Sequence, residues 1–172
     1  MPHHFLMENA EELIYYGINS YNGGRLISRF DISSLLIGVG TELLLKAIVL
    51  KEDYEYFLKK CKEQRTPSYK TCQEWLQIYL KDRTREPVYE RIKDVLDLIR
   101  IKRNNLVHLQ FHDIGFHGEY RQIYVVLRFL FLYFFKEKRE IINILTREEK
   151  KVEKNIVDMD YEKVVLDVID DK

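Results

Sequence analysis

A chain of 172 residues is long enough for one sizeable core, and 46% apolar with 33% charged residues is the composition of a globular protein. Three prolines and seven glycines exclude a loop-rich or disordered chain. Lys plus Arg balances Asp plus Glu at 28 each, so no global field draws in nucleic acid, and polyanion binding would need a local patch.

The two cysteines, Cys61 and Cys72, are too few for a disulfide framework and wrongly spaced for a zinc knuckle. They read as reduced thiols of a cytoplasmic protein. The start, Met1-Pro2-His3-His4, has neither a basic head nor an apolar run, so no signal peptide is expected. The longest apolar run, Ile123 to Phe135, is interrupted by Arg128 and is shorter than the roughly 20 residues of a membrane span. It reads as a buried helix, and no membrane association is expected.

In chain order, the first residues are expected to be loose. Leu13, Ile14, Gly17, Ile18 and Tyr21 then recur at helical spacing, which predicts a helix from about Glu8 to Tyr21. Asn22-Gly23-Gly24 stops it, and Arg25 to Phe30 carries no decided pattern. Asp31 or Ser33 can cap the next helix, which runs to about Leu50. That helix is apolar nearly all round, so it needs neighbours on more than one side.

Residues 53–66 form a charged amphipathic helix with Tyr54, Phe57, Leu58 and Cys61 on one face. Thr66-Pro67-Ser68 breaks it, and a further helix from Tyr69 to Lys81 carries Cys72, Trp75, Leu76 and Tyr79. These two are expected to form a helical arm, residues 53–82, on the main bundle. Trp75 and Tyr79 read as core rather than as base-stacking residues.

Pro87 opens a long central helix at a favourable first-turn position, with Ile92, Val95, Leu96, Ile99 and Leu106 as its apolar stripe. Gln110 to Gly118 reads as a loop. From Tyr120 to about Lys138 a helix carries apolar residues on both sides, so it must be covered on both and is a candidate subunit interface. Residues 146–172 are expected to hold a last short helix and an acidic tail. No strand alternation and no repeat occurs. The expectation is a single all-α domain over residues 1–172, an antiparallel helical bundle.

The chemistry-bearing stretch is Arg100-Ile101-Lys102-Arg103-Asn104-Asn105-Leu106-Val107-His108 at the end of the central helix. At roughly 100° per residue, Asn104 and His108 share a face, whereas Arg103 and His108 diverge by about 140°. A bend at the helix end would bring them closer, because arginine is long, and a second copy of the helix packed against the first would do so better. Histidine transfers protons near neutral pH, and a helix C-terminus favours its charged form. Arginine pairs with phosphate oxygens through two hydrogen bonds. Such groups suit RNA cleavage without metal: proton removal from the 2′-hydroxyl, protonation of the leaving 5′-oxygen, and stabilisation of charge at phosphorus. The plain alternative is an arginine–carboxylate pair with a histidine that closes the helix end.

Arg103-Asn104-Asn105-Leu106-Val107-His108 resembles the arginine–polar–(three residues)–histidine signature of the HEPN (higher eukaryotes and prokaryotes nucleotide-binding) superfamily. The upstream helix Gly40-Thr41-Glu42-Leu43-Leu44-Leu45-Lys46-Ala47 is similar to the corresponding helix of several HEPN branches. The resemblance covers about residues 8–138 and treats the arm as an insertion or branch-specific feature. It implies a helical bundle that dimerises through the motif helices, with a composite cleft and metal-independent endoribonuclease activity in a toxin–antitoxin or phage-defence setting. It also implies an RNA substrate, an antitoxin or regulatory partner, and no cofactor. Arg103 and His108 become the catalytic pair, and Asn104 the polar residue beside Arg103. Two residues past the histidine stands Gln110, where the branch paired with a nucleotidyltransferase antitoxin has a modified tyrosine, so that kind of partner is not expected. Other members of the superfamily are non-catalytic binding modules.

Supporting candidates are fewer. Glu42 on its apolar helix needs a partner if buried; Lys46, four residues on, is the plain choice, and Arg103 or His108 the sharper one. Lys102 and Arg100, with Lys81, Arg83, Arg85 and Arg91, are candidates for a phosphate-binding rim, against a mixed surface with Asp82, Glu86, Glu90, Asp94 and Asp97. His112 is a candidate for substrate contact. A metal site from His112, His117, Asp113 and Glu119 matches no known ligand spacing, so no metal is expected.

Overall fold

The computed structural model describes residues 2–23, 29–84, 86–107 and 119–152. Over these it is an all-α bundle of seven helices with no strand: α1 (Pro2–Gly23), α2 (Arg29–Glu52), α3 (Tyr54–Gln64), α4 (Tyr69–Lys81), α5 (Glu86–Val107), α6 (Tyr120–Phe134) and α7 (Arg139–Lys151).

The bundle is built around α2. Its apolar character on all sides is matched by neighbours on all sides, since α1, α3, α4 and α5 each lie against it. The Asp31–Glu52 part of α2 is long enough for a membrane span and holds an 18-residue window of mean hydropathy 1.8, but 61% of that window is buried among these neighbours, as in a core helix. α1 packs antiparallel to α2 at very short range. A Cβ on Gly40 would lie 2.8 Å from Ile14 Cγ1, and one on Gly17 would lie 2.7 Å from Ile37 Cγ1. Ser33 Oγ donates to the Gly17 carbonyl at 2.7 Å across the same seam. Small residues at the crossing let the two backbones meet.

Several helix ends differ from expectation. α1 begins at Pro2, not near Glu8, because Met7 is buried and His3 packs against Phe135 at 6.5 Å between ring centroids. α2 begins at Arg29, so neither Asp31 nor Ser33 caps it; Ser33 bonds across to α1 instead. Side-chain caps start α3 and α4: Asp53 accepts from the Tyr56 N–H and Ser68 from the Thr71 N–H, each at 3.1 Å. The two helices of the arm pack on the bundle and bury Phe57, Tyr69, Cys72, Leu76 and Leu80 in its core. Cys61 and Cys72 are free thiols, and burial pushes the Cys72 thiol up to about 12.

α6 is buried on both sides, as its sequence demands, and one chain suffices to do it. α6 stops at Phe134 rather than near Lys138. The chain turns back as α7, with Ile141, Ile142 and Leu145 buried. Glu148 and Glu149, within the stretch expected to hold a last short helix and an acidic tail, are both buried, at 2% and 1% exposure. Glu149 meets Arg128 at 3.1 Å and Arg121 at 3.7 Å, while Arg121 Nη1 donates to the Glu149 carbonyl at 2.8 Å. Residues 153–172, the rest of the expected tail, lie outside the described residues.

Candidate functional site

Arg103 lies one turn before the end of α5 and faces α2. The approach is possible because position 38 is a glycine. A Cβ there would stand 2.6 Å from Arg103 Cβ and 2.9 Å from its Cγ, so Gly38 is the floor on which the arginine stem rests. One turn further along α2, Glu42 Oε2 accepts a hydrogen bond from Arg103 Nη2. The other oxygen, Glu42 Oε1, accepts from Lys46 Nζ at 2.7 Å. Lys46 and Arg103, two of the three partners expected for Glu42, are therefore engaged at once, one on each oxygen. Arg103 Nη1 donates to Asn104 Oδ1 at 2.9 Å. Arg103 Nε is buried with no hydrogen-bond partner.

The electrostatics follow from the count of charges. One carboxylate sits between two cations, so the Lys46–Glu42–Arg103 relay keeps a net positive charge. The Arg103 side chain is 25% exposed, against 14% for Glu42. A guanidinium in that position is held in one orientation by its inner partner and keeps an outer edge within reach of solvent. Such an arrangement suits a planar anion, since a fixed fork loses less entropy on binding than a free side chain.

α4 closes the inner side. The Tyr69 hydroxyl donates to the Leu96 carbonyl of α5 at 2.9 Å. Burial holds its phenol well above the usual range, with Arg100, Asp97, Glu42 and Arg103 all within electrostatic reach. Cys72 on the same face is within reach of Lys46 and Glu42. Tyr69, Cys72 and Gly38 are the residues that sequence reasoning missed here. A glycine one turn before an acidic residue on an apolar helix was the available signal for Gly38.

Not every candidate joins this cluster. Arg100 pairs with Asp97 on its own helix at 3.0 Å, and Lys102 is buried at 7% exposure. The Arg100 side chain stays 29% exposed beside Asp97, whereas Lys102 is buried. His108 and His112 lie outside the described residues, as do His117, Asp113 and Gln110. On α5, Ile101 (48%) and Val107 (55%) are exposed apolar residues, each three positions from Asn104.

Residues 5–136, well over half of the chain, match a family model described as a domain of unknown function, DUF3644. The chain belongs to the DUF3644 family. The DUF3644 match runs unbroken from α1 through the two helices of residues 53–82 to the end of α6. It contains Gly38, Glu42, Arg103, Asn104 and His108, and leaves α7 outside. No curated protein and no solved structure matches the chain.

Proposed function

We propose that this protein is a HEPN-type, metal-independent endoribonuclease that acts in the cytoplasm as a homodimer, as the toxin of a toxin–antitoxin pair or a component of phage defence. The observation that carries the reading is the Gly38–Glu42–Lys46 platform under Arg103. It places an oriented, net-positive guanidinium at the end of the helix that bears the arginine–histidine signature. Arg103 stabilises the charge that grows on the phosphorus oxygens. His108 moves the proton between the 2′-hydroxyl and the leaving 5′-oxygen. Asn104 steadies the guanidinium through its Oδ1. By sequence spacing Arg103 and His108 would diverge by about 140° on an ideal helix, so two copies of the motif stretch supply the pair across a composite cleft. Ile101 and Val107, exposed on either side of Asn104, are the apolar surface for that contact.

The test is cleavage of a mixed RNA panel in EDTA. The parent chain is expected to leave 2′,3′-cyclic phosphate ends. Arg103→Ala and His108→Ala should each slow cleavage by about 100-fold or more while leaving the helical content unchanged. Equal cleavage by parent and both variants would refute the mechanism.

The Arg103–Glu42 pair also favours a second reading, a non-catalytic module that binds a nucleotide, RNA or protein partner through the same guanidinium. It predicts no cleavage of any RNA, with phosphate binding that still fails in Arg103→Ala.

A further inference from the structure

A groove of about 210 Å³ runs between α1 and the start of α7, on elements that supply none of the side chains at the Arg103 site. It is lined by Tyr15, Ile141 and Ile144, apolar, and by the exposed carboxylates of Glu8, Glu12 and Glu140, its acidic rim. Glu11 also lines it and is neutralised by Lys138 at 2.9 Å. Glu8, Glu12 and Glu140 form no ion pair among the described residues. Glu8 and Glu12 are one turn apart on α1, a like-charge spacing that costs an isolated helix a few tenths of a kcal/mol. The outward face of α1 beside them also carries Phe5 at 72% exposure and Tyr16 at 50%. Aromatic and apolar side chains next to unpaired carboxylates make an unsatisfied surface on both counts.

Charge decides what covers it. The chain's own residues 153–172 carry seven carboxylates and three lysines, so they are repelled by the rim. A second copy presenting the same face would set carboxylate against carboxylate. A polyanion is excluded for the same reason. The complementary object is a cationic segment with one apolar side, laid lengthwise between two helices. We infer that the α1–α7 groove is a docking surface for a basic amphipathic helix of a partner protein, whose apolar side seats on Tyr15, Ile141 and Ile144 while its lysines or arginines meet Glu8, Glu12 and Glu140. This inference is independent of any activity at Arg103.

The experiment uses the full chain and a labelled synthetic helix of roughly 16 residues, leucines on one face and lysines on the other, followed by fluorescence anisotropy. A scrambled peptide of equal composition is the control. The parent should bind the amphipathic peptide about tenfold more tightly than the scramble, and the Glu8→Gln/Glu12→Gln/Glu140→Gln chain should lose about tenfold in affinity. Tyr15→Ala should weaken binding without altering the charge. A chain carrying Glu8→Lys, Glu12→Lys and Glu140→Lys should instead bind the peptide whose lysines are replaced by glutamates. Equal affinity for peptide and scramble, no binding by the parent, or an unchanged affinity in the triple glutamine chain would overturn the proposal. So would a dimer of the parent that the triple glutamine substitution dissolves, since a second copy would then be the occupant.

Discussion

Arg103 is placed by three residues of α2 that lie some sixty positions earlier in the chain. Gly38 admits its stem, Glu42 binds its head, and Lys46 holds the other oxygen of Glu42. Gly38→Ala tests the first of these. The added methyl would overlap the Arg103 stem at 2.6 Å, and neither helix backbone can yield cheaply in a packed core. The expected cost is about 1–3 kcal/mol in denaturant unfolding, together with loss of any phosphate binding that depends on Arg103. Full stability in Gly38→Ala would show that α5 can move away from α2. Glu42 was readable as a buried carboxylate in need of a cation. Which cation it takes was not, because one candidate lies on its own helix and the other becomes a neighbour only when α5 docks.

At the scale of elements, α7 shows how far charge pattern misleads. Glu148-Glu149-Lys150-Lys151 falls in the stretch expected to end in an acidic tail, yet both glutamates are buried and tie α7 down. Arg121 and Glu149 are each 1% exposed. Removing one member leaves an uncompensated buried charge, so Glu149→Gln should cost about 3–5 kcal/mol in thermal or denaturant unfolding. Pairing Arg121→Met with Glu149→Leu should restore part of that loss, which a double-mutant cycle would measure.

Glu148 adds a pH dependence to the same helix. Burial would raise its carboxyl, but hydrogen bonds from Lys151, Asn22 and Arg147 outweigh burial and bring it below the ordinary 4.5. Its contribution is therefore fully present above about pH 4.5 and is lost as pH falls through the lower folded-state value. Melts from neutral pH to pH 3 should show a shallower acid loss in Glu148→Gln than in the parent.

For the whole molecule, the two-sided apolar pattern of α6 requires cover on both sides and made it a candidate subunit interface as well as a core helix. α7 supplies that cover, so α6 gives no ground for a dimer. The ground is now on α5, where Ile101 and Val107 stand exposed around Asn104. A parent dimer at micromolar concentration, converted by Ile101→Glu into a folded monomer, is the expected result in sedimentation. A parent that sediments as a monomer would remove the composite cleft and with it the shared arginine–histidine site.

Helical period, turn residues and the caps at Asp53 and Ser68 decided the fold class and the bounds of α3 and α4, because these depend on neighbours within a few residues of the chain. The same local chemistry placed Arg103 and Asn104 at the end of α5. Only tertiary structure decided that Glu42 bridges Lys46 and Arg103, that Gly38 lets α5 in, that Lys102 turns inward, and that Glu149 is buried. Each of these depends on which helix faces which, and that is settled by packing a whole core at once. A residue's own spacing reports its side of the helix but not what stands opposite.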